Sequence, residues 1–391
     1  MANKAMIAGD PGGDEQLLPL HKGVQNPPRN ESPNASLLFD KYVDTWQIGS
    51  GRDVMTISMP EGDVKRAFYD RVSRSMSSYV GGLAQSYVDR RHRLLFSLEG
   101  RVMSAATVWR FVSGLGSSHP TEAGFIWHRT LGVPYLPASS IKGMMRAWLT
   151  YWVADDEQAR TRAAELFGDT ESTGMGRLVV FDAIPTRLPT LEVDIMNPHY
   201  SDYYSNPHGK IPPADYNLPV PVNFLTVAPG QRFEFALAPA DRRCTSSDLD
   251  DGMRLLQEAL STIGCGGKTA VGYGLFGDFD DRTKAVFAAE EAAQAQARAQ
   301  ALQAELASLS PAQRRVREME SLVHAKADAE QIRNLGLMMY GELDSFERDE
   351  QLMVAYALKL SWEQIGAWSG KKIGNKQKDR IAKVRSILGE V

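Results

Sequence analysis

Hydrophobic and polar positions follow two different periods along this chain. Leu94, Phe96, Leu98, Gly100 and Val102 alternate with Leu95, Ser97, Glu99 and Arg101, and Phe233, Phe235 and Leu237 alternate with Arg232, Glu234 and Ala236. A period of two predicts half-exposed strands over both segments. Residues 178–184 (LVVFDAI) predict a third, more fully buried strand. Helical spacing occurs twice. Ile141, Met144, Met145, Trp148 and Trp152 follow Ser139 and Ser140, either of which can cap, and Met253, Leu256, Leu260 and Ile263 run up to the terminator Gly264. Interleaved strands and helices predict an α+β fold in which an antiparallel sheet carries helices on one face.

The flanks differ in character. Residues 1–36 are rich in Gly, Pro, Asn and Asp (DPGGDEQ, QNPPRNESPN) and are expected to form a mostly disordered arm. Residues 283–307 consist almost wholly of helix formers, and Ser310-Pro311 opens another helix, so 281–391 is expected to be a C-terminal all-α domain. Its last stretch sets seven basic residues (Lys371, Lys372, Lys376, Lys378, Arg380, Lys383, Arg385) against two acids, Asp379 and Glu390. This is either a solvated helix face or a nucleic-acid contact.

Composition narrows the function classes. With 391 residues, 43% of them hydrophobic and 24% charged, the chain can bury a large core in two or three domains. A net charge of −4 provides no bulk attraction for nucleic acid, so any such binding depends on local patches. Two cysteines, Cys244 and Cys265, exclude a disulfide scaffold or a cysteine zinc cluster. No apolar run approaches the length of a membrane span, and a cytoplasmic location is expected.

The stretch Gly264-Cys-Gly-Gly-Lys-Thr-Ala-Val-Gly-Tyr-Gly-Leu-Phe-Gly277 comes near two phosphate motifs and satisfies neither. A P-loop needs a glycine where Thr262 stands. The letters Gly272-x-Gly274-x-x-Gly277 fit a dinucleotide fingerprint, but an acidic turn, Asp278-Phe-Asp-Asp281, follows where a helix N-terminus is required. The glycines instead allow backbone to lie against a polymeric ligand, with Lys268 on a phosphate, or they serve a tight turn beneath the preceding helix.

A second candidate is Pro134-Tyr-Leu-Pro-Ala-Ser-Ser-Ile-Lys-Gly-Met-Met-Arg146. Lys142 and Arg146 are four residues apart on one helix face with Gly143 between them, and Ser139 and Ser140 sit at the start of the helix. Such a start is a ready anion site. A third group gathers Asp194, His199 and Asp202 with Tyr200, Tyr203 and Tyr204 in a Pro- and Asn-rich loop. It suits base stacking, a structural loop, or acid-base or metal chemistry. His119 is a lone loop histidine, suited to a hydrogen bond or a phosphate contact.

Together these segments resemble the RAMP superfamily of CRISPR-associated proteins. The resemblance rests on the PxxPxSSxKGxxR helix start, Leu166-Phe-Gly168 and the glycine-rich loop, with Ala138 standing where the family often has glycine. Gly114-Leu-Gly-Ser-Ser-His-Pro-Thr-Glu122 and residues 194–204 are similar to the sixth-subunit family of the type III-B (Cmr) effector complex. The resemblance spans roughly 90–280. It implies a ferredoxin-like, RNA-recognition-type fold over 37–280 that contacts the guide CRISPR RNA near its 3′ end, through Ser139, Ser140, Lys142, Arg146, Gly266, Gly267 and Lys268. His119, His199 and Tyr200 are further candidate RNA contacts.

The subunit so implied is not catalytic, target RNA being cut in a neighbouring backbone subunit. Its partners would be CRISPR RNA, target RNA and other RAMP-type subunits, with no cofactor, metal, membrane or small-molecule substrate. The rival expectation is a metal-independent endoribonuclease processing precursor CRISPR RNA, with His119 or His199 as base. The helical tail is not part of the family pattern, and docking a neighbouring subunit or the guide is a third expectation.

Overall fold

The computed structural model describes residues 34–43, 47–50, 55–58, 63–76, 82–153, 157–169, 174–200, 203–204, 206, 210, 212–214, 218–219, 221–325, 327–369 and 373–390. Most of the expected N-terminal arm lies outside them. Its last residues are ordered: Asn34 accepts from the N–H groups of Ser36 and Leu37 and so caps α1 (Ala35–Lys41). The chain divides into two units, Met1–Glu290 and Glu291–Val391.

In the first unit, β1 (Gln47–Ser50) and β2 (Met55–Ser58) pair antiparallel, and α2 (Asp63–Ser75) and α3 (Gly82–Ser97) follow. The period-two run at 94–102 is therefore not a strand until Arg101. Among its first five residues only Leu95 is fully buried, while Leu94 and Leu98 are exposed. The buried positions Ala84, Arg91 and Leu95 follow a helical period, which the alternation of letters concealed.

The sheet is assembled from β3 (Arg101–Thr107), β6 (Leu178–Val180), β7 (Ile184–Pro185), β10 (Arg232–Pro239) and β11 (Phe276–Asp281). The short strands β4 (Trp127–His128) and β5 (Val133–Pro134) form a separate pair, as do β8 (Leu191–Met196) and β9 (Val222–Val227). Strand order in the sheet is β11-β3-β10-β6, with β7 continuing the β6 edge, and every pair is antiparallel. The crossover helices are α4 (Ala138–Ala147) and α6 (Ser246–Thr262), and α4 passes through a π-helical turn, Trp148–Val153, before α5 (Glu157–Phe167).

Between the sheet and α4, α5 and α6 lies the main core, where Met103, Phe233, Phe235, Leu237 and Phe276 meet Ile141, Met145, Leu166, Leu256 and Leu260. Phe276 meets Phe233 and Phe235 edge-on, with centroids 5.9 and 5.3 Å apart.

The opposite face is not left to solvent. Leu95 of α3 and Val286 of α7 (Thr283–Ser308) pack with Val102, Ala236 and Ala238. Glu234, expected to face water, is instead buried between Arg91 and His92 of α3. The expectation of helices on one face is corrected accordingly: β10 is covered on both sides, and Arg91 with His92 supplies the charge partners that a buried carboxylate requires.

The second unit is the expected helical bundle, made of α8 (Pro311–His324), α9 (Ala329–Glu342), α10 (Arg348–Gln364) and α11 (Asn375–Leu388). Ser310 and Gln313 form a capping box with Pro311 at the first turn, as the Ser-Pro signal predicts. Met319, Met339, Val354, Leu358, Trp362 and Val384 fill its core.

Candidate functional site

The approach to α4 is stiffened by Pro134 and Pro137, and Leu136 bridges Ala183 beside the β7 edge. Pro137 is the N-cap, and the Ala138 N–H donates to Asp182 Oδ1 at 2.7 Å. The expected Ser139 or Ser140 cap is thus replaced by a carboxylate from 44 positions along the chain. Both serines stand exposed in the first turn, and among the described residues their hydroxyls have no hydrogen-bond partner.

Lys142 is half-buried and, among the described residues, meets no carboxylate and no hydrogen-bond acceptor. Gly143 is exposed, and a β-carbon there would meet no atom within 4 Å. Among the described residues nothing requires this glycine. Arg146 is differently employed: its guanidinium donates to the Gly168 carbonyl at 2.9 Å, where φ of +84° ends α5. The PxxPxSSxKGxxR and Leu-Phe-Gly segments are thereby joined through Arg146.

The glycine loop packs inward more than the sequence suggests. A β-carbon on Gly274 would stand 1.9 Å from the Cys265 carbonyl, one on Gly266 2.4 Å from the Val112 carbonyl, and one on Gly264 2.8 Å from the Gly274 carbonyl. Backbone bonds follow the same path: Cys265 N–H to Gly274 O at 2.9 Å, Gly274 N–H to Arg110 O at 2.8 Å and Gly267 N–H to Val112 O at 2.7 Å. Gly264, Gly266 and Gly274 therefore serve close approach within the fold, and close approach to a ligand is not needed to explain them.

Two features of the loop stay open outward. A β-carbon on Gly272, with φ of +90°, would meet no atom within 4 Å among the described residues. Lys268 adopts a left-handed backbone, φ +60°, and holds its ammonium 5.6 Å from the Phe224 ring and 6.0 Å from the Tyr273 ring. Lys142 starts from the β7 side of the sheet and Lys268 from the loop that enters β11 at the other edge.

Beside Lys268 lies a polar cluster that the sequence reading missed. The Tyr273 hydroxyl donates to Asp194 Oδ2, Arg110 Nη1 lies 3.3 Å from the same oxygen, and Arg110 Nε donates to Glu192 at 2.9 Å. Burial first, and then the hydrogen bond to Asp194, push the Tyr273 hydroxyl up to about 12. The hydrogen bond to Glu192 raises the Arg110 guanidinium further. Asp194 thus ties the glycine loop, through Tyr273, to Arg110. The partners lie 79 positions apart, which no local motif signals.

The histidines separate in the same way. His119 stacks on Phe39 at 4.0 Å, its Nε2–H donates to the Phe39 carbonyl at 2.9 Å, and Nδ1 accepts from Thr121. Burial lowers its pKa below 6.5 and holds it neutral. Both ring nitrogens are thus hydrogen-bonded within the fold, to the Phe39 carbonyl and to Thr121. His199 is exposed, its ring 6.3 Å from that of half-buried Tyr200. Asp202 lies outside the described residues. Among the described residues no group of three His, Cys, Asp or Glu side chains is placed to hold a metal ion, and no helix is long and apolar enough to cross a membrane.

Residues 45–277 match the RAMP superfamily. Two curated relatives are similar to this chain. The CRISPR system Cmr subunit Cmr6 of Pyrococcus furiosus is 30% identical over 327 residues, covering 63% of this chain and 95% of that protein. The CRISPR system CMR subunit Cmr6 of Saccharolobus solfataricus is 27% identical over 219 residues, covering 54% and 70%. Among solved structures, a chain in the cryo-EM structure of the type III-B Cmr-beta bound to cognate target RNA is 25% identical, with a TM-score of 0.43 over 56% of this chain and 72% of that one. The crystal structure of Cmr6 from Pyrococcus furiosus is 27% identical, with a TM-score of 0.30 over 45% and 96%.

Proposed function

From the premise that the chain belongs to the RAMP superfamily, we propose that it is a non-catalytic, RNA-binding structural subunit of a type III-B CRISPR effector complex. In this reading it holds the guide CRISPR RNA near its 3′ end beside neighbouring RAMP-type subunits during target-RNA interference. The strand-helix-strand-strand-helix-strand order, with the fourth strand beside the first and the third between first and second, supports a ferredoxin-like assignment for the sheet domain. That fold presents RNA-contacting surfaces in many RNA-recognition modules.

The observation that carries the reading is the pair Lys142 and Gly143. A glycine within a helix costs about 1 kcal/mol relative to alanine, and no contact among the described residues offsets it. Beside it stands a cation without a partner among the described residues, in the first turns of α4 and near the exposed hydroxyls of Ser139 and Ser140, a group suited to a phosphate contact. Lys268, Gly267 and the outward Gly272 are assigned to the same strand of RNA, with Ser139 and Ser140 as hydroxyl contacts and exposed His199 and half-buried Tyr200 as base-stacking contacts. Arg146 acts through the fold by holding α5 to α4. The engagement of both nitrogens of His119, and of Asp194 by Arg110 and Tyr273, supports the non-catalytic reading over an endoribonuclease.

The test is reassembly of the effector complex with Lys142→Ala and Lys268→Ala together. Guide-RNA occupancy should fall, and its dependence on salt should weaken. Occupancy and salt dependence equal to the parent would overturn the proposal. Incubating the purified chain with repeat RNA in EDTA tests the enzyme reading, which specific cleavage lost in His199→Ala would establish.

A further inference from the structure

The family match ends at residue 277, so it says nothing about the second unit. That unit carries its charge in a definite place. Within α11, Ile381, Val384 and Leu388 turn into the core. The cations divide between the two flanks of the helix: Lys376, Arg380 and Lys383 recur at helical spacing on one, and Lys378 and Arg385, seven apart, on the other. Asp379 is the one acid of the helix. Lys383 is matched by Asp344 at 2.5 Å, whereas Lys376, Lys378, Arg380 and Arg385 have no carboxylate partner among the described residues.

Each flank borders a ring and an open groove. On the first, Arg380 and Lys383 lie 5.9 and 5.5 Å from the Tyr340 ring, and a cavity of about 450 Å³ is lined by Arg333, Leu337, Gln377 and Arg380. Arg333 likewise has no acidic partner among the described residues. On the second, Arg385 lies 5.5 Å from the Trp368 ring, and a cavity of about 460 Å³ is lined by Trp368, Lys378, Ala382 and Arg385. Glu390, which borders this groove, is held by Lys359 at 2.6 Å.

We infer that α11, with Arg333 and the grooves on its two flanks, is a second binding surface for single-stranded RNA, separate from the Lys142 and Lys268 surface. A polyanion crossing the helix meets unmatched cations on both sides. Guanidinium planes over aromatic rings are the elements on which unstacked bases are held, and grooves of this size accommodate planar bases. A duplex hides its base faces and would use only the charges. The surface goes beyond the proposed function and does not depend on it.

The experiment uses the full chain carrying Lys142→Ala and Lys268→Ala, so that any contribution from the sheet domain is already reduced. Anisotropy of a labelled single-stranded 20-nucleotide RNA is measured across a potassium chloride series, with a duplex of the same sequence in parallel. Adding Lys376→Gln, Lys378→Gln, Arg380→Gln and Arg385→Gln should weaken single-strand binding at least tenfold and flatten the log–log salt slope by about 3, at roughly 0.7 per phosphate contact.

Because Arg380 and Arg385 lie over rings, a second variant, Lys376→Glu with Lys378→Glu, reverses charge only at two exposed residues. It should weaken binding at least tenfold without moving the melting temperature. Parent-like affinity and slope in both variants would overturn the inference. So would equal binding of the duplex, or competition by poly-glutamate as effective as that by unlabelled RNA, which would make the surface a site for acidic protein.

Discussion

The carbonyl of Cys265 occupies the place where a β-carbon on Gly274 would stand, at 1.9 Å, and accepts no substitute for that glycine. Gly274 also holds φ at +70° and bonds both Cys265 and Arg110. Gly272, two residues earlier, shares the left-handed backbone without the neighbour. Gly272→Ala is therefore expected to cost about 1 kcal/mol for conformation alone, and Gly274→Ala at least about 3 kcal/mol or a failure to fold. Urea unfolding of the two variants side by side gives the comparison; equal losses would refute the packing account.

Lys142 and Arg146 share a helix face but not a task. Arg146→Ala removes a charged hydrogen bond to the Gly168 carbonyl and should destabilise the chain by about 1–3 kcal/mol. Lys142→Ala should change stability by less than about 0.5 kcal/mol, yet lower RNA affinity and reduce the salt slope by roughly 0.7. Thermal unfolding and RNA titration of each variant separate the two roles, and a stability loss at Lys142 matching that at Arg146 would contradict them.

His119 and His128 are both held neutral by burial, their pKa values below 6.5. The unfolded chain therefore takes up protons first on acidification. The stability contributed by the neutral rings is complete above about pH 6.5 and is lost as pH falls through the lower folded-state values. The melting temperature should decline from pH 7 to pH 5, and His119→Gln with His128→Gln should flatten that decline. A variant with the parent's slope would show that these rings do not set it.

Asp248 responds in a different window. Burial alone would raise its carboxyl, but the Thr245 N–H and hydroxyl of the capping box and the Arg162 guanidinium, at 2.7 Å, outweigh that effect and hold it at about 2. A depressed carboxyl stabilises above its unfolded value of 3.8 and ceases to do so as pH falls towards 2. Asp248→Asn should cost roughly 2 kcal/mol at neutral pH, with the gap between variant and parent closing between pH 4 and pH 2. Acid titration monitored by circular dichroism reads this directly.

Much of the fold was legible in short-range pattern. The helices that became α4 and α6, the strand at 232–239 and the helical C-terminal region follow from spacing, although α4 takes its cap from Asp182; the single buried strand expected over 178–184 is instead two short strands on β10, Leu178–Val180 and Ile184–Pro185, with Val179 exposed. The misreading at 94–102 came from letters that alternate by coincidence within α3, where only Leu95 among the first five is fully buried. The second layer over β10 was hidden because Glu234 looks solvent-facing until Arg91 and His92 arrive from α3, more than 140 positions away.

What the sequence by itself determined is the kind of element and the kind of chemistry at each place: a helix start bearing Lys142, a glycine loop bearing Lys268 and a basic last helix. Which of those groups is available was decided only by the tertiary structure. Arg146, His119 and Asp194 are engaged by Gly168, Phe39 and Tyr273, whereas Lys142 has no partner among the described residues. The physical reason is range. Periodicity and capping act within a few residues and leave a trace in the letters, but a hydrogen bond or a blocked β-carbon depends on atoms that distant segments bring within 3 Å of one another.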